Sequence, residues 1–120
     1  MKTILIVEDD KKIIRMLVRR LAKVGYKIET AENGKIGVIK ALELKPDLIL
    51  LDMHMPVMDG YTAATELRKK KYNGIITAIT ASAMVEETNK SLEAGCDSFI
   101  AKPIGPDFES QIESLFHRKF

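Results

Sequence analysis

Short apolar, strand-like runs alternate five times with helical segments along this 120-residue chain. The strand candidates are Thr3–Val7, Lys27–Ala31, Asp47–Leu51, Ile75–Thr80 and Ser98–Ala101. The first, third and fourth are apolar on both faces, which is typical of strands buried between two layers of helices. The helical candidates between them are Lys11–Val24, Gly34–Leu44, Gly60–Lys70, Met84–Ala94 and Asp107–Phe116. Five such units predict an α/β fold, a doubly wound, five-stranded parallel sheet with strand order 2-1-3-4-5.

The composition excludes several classes of protein. Hydrophobic residues make up 46% and charged residues 30% of the chain, which argues against disorder. The longest aliphatic runs, Ile4–Val7 and Leu48–Leu51, are far shorter than the roughly 18 residues needed to cross a bilayer. Met1 leads directly into the first of them, which leaves no room for a secretory signal. Cys96 is the only cysteine, so an intrachain disulfide is excluded and a reducing cytoplasm fits.

We therefore expect a single cytoplasmic domain over residues 1–120, working as a monomer. The net charge of +2 is too near neutral to indicate nucleic acid, and no membrane association is expected. The last helical pattern runs out near the end of the chain, so we expect no output domain to follow it.

Carboxylates follow two strands that are neighbours in the predicted sheet. Glu8, Asp9 and Asp10 follow the first strand, and Asp52 follows the third. Ligand sites in such folds lie beyond the carboxyl ends of the strands, so these groups should converge in one crevice. Crowded carboxylates repel one another unless a cation neutralises them, and Mg²⁺ prefers such oxygen ligands. One of them, for which we favour Asp10, is expected to cap the first helix instead.

A hydroxyl and an ammonium group follow the remaining strands. Thr80 ends the fourth strand, and Lys102 follows the fifth. Both are aimed at the same crevice in the predicted topology, where they offer a hydrogen-bond donor and a positive charge. An anion site beside a cation site indicates that a phosphoryl group bridges the two.

Four segments together resemble the receiver domain of two-component response regulators: Ile4–Asp9, Leu50–Gly60, Ile79–Ala81 and Ala101–Pro103. The spacing between the segments agrees as well, and the resemblance covers the whole chain. It implies the flavodoxin-like receiver fold and the function of a phosphoacceptor. The resemblance also implies that the chain is not an enzyme toward a separate substrate, although weak autodephosphorylation is expected.

The resemblance implies a role for each residue of the acidic cluster. Asp52 would accept a phosphoryl group from the phosphohistidine of a histidine kinase or a histidine phosphotransfer protein. Mg²⁺ would be bound directly by Asp9 and Asp52 and through water by Glu8. The backbone carbonyl of His54 would complete the protein ligands, so its imidazole is not required.

The resemblance also implies a switch that acts on a downstream target protein. Lys102 would pair with the phosphoryl group, and Thr80 would donate a hydrogen bond to it. An acyl phosphate adds about two negative charges, which would attract Thr80 toward Asp52. This movement would vacate space beneath Phe99, so that a change of charge becomes a change of packing.

The first helix predicts where a phosphodonor protein docks. A helical wheel places an apolar face against the sheet, formed by Ile14, Leu17, Val18, Leu21 and Val24. Met16 falls among basic residues and is expected to be exposed, beside Ile13 at the edge of the apolar face. The resemblance points to this helix and to the loop around Ile104 as the usual contact. We therefore predict donor docking at Ile13, Met16, Pro103 and Ile104.

Other functions fit the chain less well. A haloacid dehalogenase-type hydrolase would need an Asp-x-Asp pair, which Asp52-Met53-His54 lacks. A flavodoxin-like flavin carrier would need a Ser/Thr/Gly-rich phosphate loop after the first strand, where Glu8-Asp9-Asp10 would repel a phosphate. Two alternatives stay open: a receiver module taken from a larger hybrid kinase or regulator, and an interaction module that works without phosphorylation.

Overall fold

The computed structural model describes residues 1–81 and 84–118. In this part of the chain, strands and helices alternate in the order β1 (Thr3–Val7), α1 (Lys11–Lys23), β2 (Lys27–Ala31), α2 (Gly34–Leu44), β3 (Leu48–Asp52), α3 (Gly60–Lys69), β4 (Ile75–Thr80), α4 (Val85–Ala94), β5 (Ser98–Ala101) and α5 (Phe108–Phe116). The strands form one parallel sheet in the order β2-β1-β3-β4-β5. The predicted fold class and strand order are confirmed.

The third strand differs from its prediction by one residue. Asp52 is the last residue of β3 and pairs with Ile79 of β4, whereas the prediction had β3 end at Leu51. Asp47 lies before the strand, where its carboxylate accepts a hydrogen bond from the backbone N–H of Thr3 at 2.8 Å. The candidate phosphoacceptor is therefore held inside the hydrogen-bonded sheet.

Each face of the sheet carries its own apolar cluster. Alternate residues of a strand point to opposite faces, so Leu5 and Val7 belong to one cluster and Ile4 and Ile6 to the other. Residues of α2 and α3 cover the first face, and residues of α1 and α5 cover the second. Since each fully buried apolar side chain stabilises the fold by about 1.5–3 kcal/mol, the two clusters hold the helices on either side.

Local contacts shape the two loops nearest the carboxyl edge of the sheet. Asp10 caps α1, as predicted, by accepting hydrogen bonds from the backbone N–H groups of Lys12 (2.9 Å) and Ile13 (3.3 Å). Gly60 begins α3 against the end of β3, where a Cβ atom would overlap the backbone carbonyl of Asp52. The missing side chain at Gly60 therefore allows α3 to start directly beside Asp52.

Two details of the helical wheel are wrong. Val24 is 54% exposed instead of packing on the sheet, because α1 ends at Lys23 and the wheel no longer applies to the capping residue. Met16 is half-buried and packs against the second apolar cluster, although we expected it to be exposed.

Among the described residues, no helix is both long and apolar enough to span a membrane.

Candidate functional site

The carboxyl edge of the sheet brings together acidic side chains from two adjacent strands. Glu8 lies two positions after Ile6 of β1, and Asp52 lies two positions after Leu50 of β3. Because side chains alternate along a strand, both carboxylates point to the face that α1 and α5 cover. Glu8 is 2% and Asp52 is 4% exposed, so two potential negative charges are buried side by side.

Asp9 completes an acidic cluster with Glu8 and Asp52. One carboxylate oxygen from each of the three residues lies within 4.8 Å of the others. Asp9 is exposed and the other two are buried, so the cluster opens to solvent on the side of Asp9. Oxygen ligands in this number suit a hard divalent cation, which keeps several waters in its coordination shell.

Lys102 supplies positive charge to this cluster. Its Nζ lies 3.0 Å from Oε1 of Glu8 and 3.7 Å from Oδ1 of Asp52. Its backbone N–H donates to the carbonyl oxygen of Thr80 at 2.7 Å, which ties the segment after β5 to the end of β4. Burial lowers the pKa of the Lys102 ammonium, but its bond to Glu8 and the charge of Asp52 outweigh burial and raise that pKa above its ordinary value.

The negative charge of Glu8 is the one that this arrangement destabilises most. Burial is the largest effect and the neighbouring Asp52 adds to it, so the pKa of Glu8 rises to about 7 even though Lys102 lowers it. Oε2 of Glu8 accepts hydrogen bonds from the backbone N–H groups of Asp9 (3.1 Å) and Asp10 (3.2 Å). Oε1 is buried and has the ion-pair contact with Lys102, but no well-aligned hydrogen bond from the described residues. A cation or a cation-bound water would satisfy this oxygen, so the donor set fits a bound metal.

The imidazole of His54 lies away from the acidic cluster. The backbone N–H of His54 donates to Oδ1 of Asp52 at 3.2 Å. Its side chain is 60% exposed, and Nε2 lies 3.9 Å from Oε2 of Glu87 in α4. The imidazole therefore lies beside Glu87, and the role of the His54 carbonyl as a metal ligand stays a prediction.

Thr80 and Phe99 lie on the face of the sheet opposite to the buried carboxylates. Thr80 pairs with Ala101 in the β4–β5 ladder, and Phe99 pairs with Ala78, two positions before Thr80. Ala78 belongs to the cluster under α2 and α3, so Thr80 and Phe99 share that face. Thr80 is 2% exposed and Phe99 is 42% exposed. The acidic cluster and the aromatic ring are therefore separate features of the site.

The four predicted docking residues line one groove beside the acidic cluster. Ile13 and Met16 of α1 form one wall, and Pro103 and Ile104 form the other. The groove has a volume of about 480 Å³, and Lys102 lies in it as well. Since the ammonium of Lys102 contacts Glu8 and Asp52, this side chain connects the groove to the cluster.

Two polar contacts around the site have no counterpart among the sequence-based expectations. Arg20 of α1 donates to the carbonyl oxygen of Gly105 and to the carboxylate of Glu109 in α5. The hydroxyl of Tyr61 in α3 donates to the carboxylate of Glu87 in α4. Tyr61 and Glu87 are 26 residues apart in the chain, and Arg20 and Glu109 are 89 residues apart, so no local sequence pattern predicts either pair.

Comparison with known proteins identifies the family. The family model described as response regulator receiver domain matches residues 4–111. Among curated proteins, the chain is 43% identical over 118 residues to the transcriptional regulatory protein ResD of Bacillus subtilis, covering 96% of this chain and 48% of ResD. It is 46% identical over 106 residues to hybrid signal transduction histidine kinase G of Dictyostelium discoideum, covering 84% of this chain and 3% of that kinase.

A solved structure supports the same assignment. The response regulator TrrA of Thermotoga maritima, in complex with Mg²⁺ and BeF, aligns with a TM-score of 0.85 and 34% identity. The alignment covers 96% of this chain and 99% of the TrrA chain. The chain spans about half the length of ResD and a small part of the kinase. These matches, together with the strand order and the acidic cluster, show that the chain belongs to the receiver domain family of two-component response regulators.

Proposed function

We propose that Asp52 accepts a phosphoryl group from the phosphohistidine of a histidine kinase or a histidine phosphotransfer protein. The observation that carries this proposal is a buried carboxylate at a strand end, grouped with two other carboxylates and with an ammonium at 3.7 Å. Burying charged groups around Asp52 destabilises the fold, and such groups are typical of functional sites. A phosphoacceptor site accounts for them.

The transfer is a displacement at phosphorus. An oxygen of the Asp52 carboxylate attacks the phosphorus atom, and an O–P bond forms while the N–P bond of the phosphohistidine breaks. The electron pair of the broken bond stays on the imidazole nitrogen of the donor. A carboxylate needs no general base for this attack, and phosphoryl transfer depends mainly on positioning and charge neutralisation.

Residues around Asp52 supply that neutralisation. The ammonium of Lys102 balances part of the negative charge that the phosphoryl group brings. Mg²⁺, which we propose is held by Glu8, Asp9, Asp52 and the backbone carbonyl of His54, would neutralise charge on the phosphoryl oxygens when bound. The TrrA structure contains Mg²⁺, which supports this choice of cation.

We propose that the donor docks in the groove between Ile13 and Met16 on one side and Pro103 and Ile104 on the other. The groove adjoins the acidic cluster through Lys102, so a helix lying in it could present its histidine to Asp52. The helix α1 carries six basic residues and no acidic residue. The donor surface around the histidine should therefore be acidic.

Phosphorylation would then change the surface that a downstream target protein recognises. The hydroxyl of Thr80 would bond to the phosphoryl group, and the packing around Phe99, which is half-exposed on the same face, would respond. We expect weak autodephosphorylation to reset the switch and a cytoplasmic location for the chain. The target could belong to the same polypeptide, since the curated relatives are longer than this chain.

The first prediction tests Asp52 as the phosphoacceptor. Incubation with acetyl phosphate and MgCl₂ should raise the intact mass of the protein by one phosphoryl group, and omission of MgCl₂ should prevent it. Asp52→Asn should reduce labelling to background, because an amide oxygen is a poor nucleophile.

Asp59→Asn is the matched control, because Asp59 lies in the loop that follows Asp52 and caps α3, a role that Asn also fills. It should be labelled like the wild type. Undiminished labelling of Asp52→Asn would place the phosphoacceptor elsewhere. A wild-type chain that accepts no phosphoryl group would favour an interaction module that works without phosphorylation.

A further inference from the structure

We propose that Arg20 is a positioning residue for phosphotransfer from a protein donor, because it braces the two walls of the docking groove against each other. The inference rests on the proposed function of Asp52 and extends it to a residue outside the acidic cluster.

The contacts of Arg20 join three parts of the chain. Nη2 donates to the carbonyl oxygen of Gly105 at 2.9 Å and to Oε1 of Glu109 at 2.5 Å, and Nε donates to Oε2 of Glu109 at 2.7 Å. The guanidinium carbon lies 5.3 Å from the centre of the ring of Phe108, which is fully buried. The side chain of Arg20 therefore ties α1 both to the segment after β5 and to the first turn of α5.

These contacts lie at the end of the groove. Met16 is one helical turn before Arg20 on α1, and Ile104 directly precedes Gly105. The wall formed by α1 therefore continues to Arg20. The wall that contains Ile104 continues to the carbonyl group of Gly105, which Arg20 binds. The bond from Arg20 to Gly105 thus limits how far the wall with Ile104 can move away from α1.

Lys102 does not depend on this brace. Its backbone N–H is bound to the carbonyl oxygen of Thr80 at 2.7 Å, and its ammonium contacts Glu8 at 3.0 Å. Loss of Arg20 should therefore loosen the groove without displacing the positive charge beside Asp52. This separates the effect on a large donor, which needs the groove, from the effect on a small donor, which does not.

The charge of the pair also favours a brace made by arginine. The bond from Arg20 holds the pKa of Glu109 down, at about 2, so the carboxylate is ionised at neutral pH. Two parallel hydrogen bonds between a guanidinium and a carboxylate fix the orientation of both groups, and a third guanidinium bond reaches Gly105. A lysine ammonium cannot reproduce this planar arrangement.

The test compares two phosphodonors on the same set of variants. Transfer is measured from a phosphorylated histidine phosphotransfer domain that labels the wild-type chain, and separately from acetyl phosphate. Arg20→Gln and Glu109→Gln should raise the half-saturating concentration of the protein donor by about tenfold, with a smaller change in the maximal rate. Arg20→Lys should recover part of the loss, and acetyl phosphate labelling should stay within about twofold of the wild type.

Arg19→Gln is the matched control, because it removes the same charge from the adjacent, exposed position of α1. It should change neither measurement by more than about twofold. The NMR shift of the Gly105 carbonyl carbon should change in Arg20→Gln and stay unchanged in Arg19→Gln, because Arg20 donates to that carbonyl.

The proposed brace would be overturned if Arg20→Gln accepted phosphoryl groups from the protein donor as well as the wild type does. It would also be overturned if Arg20→Gln lost activity equally with the protein donor and with acetyl phosphate. An unchanged carbonyl shift of Gly105 in Arg20→Gln would overturn it as well. Failure of acetyl phosphate to label the wild-type chain is a different result. It would overturn the proposed function of Asp52, and the role of Arg20 would fall with it.

Discussion

The two edges of the sheet bury charge in opposite ways. At the amino edge, the guanidinium of Arg68 donates to the carbonyl oxygens of Tyr72, Gly74 and Gly95 and to the carboxylate of Asp97, at distances of 2.8–3.0 Å. Each positive donor group has a partner of opposite charge or a carbonyl dipole. This edge joins the ends of α3 and α4 to the beginning of β4.

At the carboxyl edge, one ammonium faces two buried carboxylates. Lys102 lies 3.0 Å from Glu8 and 3.7 Å from Asp52, and one oxygen of Glu8 lacks a well-aligned hydrogen bond. The raised pKa of Glu8, about 7, shows that its charged form is disfavoured there. A folded protein tolerates such a group where it serves binding or chemistry, and satisfied charges such as Arg68 mark structural contacts.

The amino edge should lose the most stability when its central charge is removed. Arg68→Ala should lower the free energy of unfolding by about 3–5 kcal/mol, because three carbonyl oxygens lose their guanidinium donor and the partly buried Asp97 carboxylate keeps only the backbone N–H of Ile76. Urea denaturation measures this change. Arg15→Ala, at an exposed position of α1, should change stability by no more than about 0.5 kcal/mol. A loss below about 1 kcal/mol for Arg68→Ala would show that the amino edge does not depend on its charges.

A second, smaller effect concerns the pH dependence of stability at the carboxyl edge. The pKa of Glu8 is about 7 in the folded chain against an ordinary value of 4.5, so the folded state holds the proton more tightly. This contribution to stability is complete below about pH 4.5 and is lost as the pH rises to about 7. The loss should be on the order of 2–3 kcal/mol.

The matched variant for this measurement is Glu8→Gln, which cannot ionise. Its free energy of unfolding should fall less than that of the wild type between pH 4.5 and 7.5, and it should be the more stable protein at pH 7.5. If the free energy of unfolding changed with pH equally in the two proteins, the ionisation of Glu8 would not be the cause of the pH dependence.

A bound cation should stabilise the carboxyl edge by a more modest amount. Mg²⁺ at ten times its dissociation constant should stabilise the wild type by about 1.4 kcal/mol at pH 7.5 and by less at pH 5.5, where protons compete for Glu8. Thermal unfolding with and without MgCl₂ measures both values. Asp9→Asn should reduce the increment, and Arg68→Ala should keep it, because the two edges are independent. An increment that Asp9→Asn leaves unchanged would place the cation outside the acidic cluster.

The sequence predicted those parts of the molecule that depend on local pattern. The strands β1, β2, β4 and β5 begin and end where apolar residues and turn residues predicted. The acidic cluster was also predictable, because the carboxyl ends of neighbouring parallel strands must meet. Asp52 was placed one residue too late relative to β3, since a charged residue is an unusual end for a buried strand.

Contacts between distant long side chains were not predictable. Arg20 and Arg68 are two among 19 lysine and arginine residues, and nothing in their sequence neighbourhood separates them from exposed ones such as Arg19. Their partners come from elements brought close only by the finished fold. The helical wheel predicts an exposed Met16 for the same reason, because the segment with Ile104 that forms the opposite wall of the groove is distant in the chain.

The sheet also separates two surfaces in space. Glu8 and Asp52 lie on the face that α1 and α5 cover, together with the groove beside Ile13. Thr80 and Phe99 lie on the opposite face. Phe99 also lines a groove with Gln111 and Ser114 of α5, which is separate from the groove beside Ile13. In the proposed pathway, the protein that delivers the phosphoryl group and the protein that responds to it would therefore occupy different grooves. The two need not compete, so a target could be recruited before the donor has left.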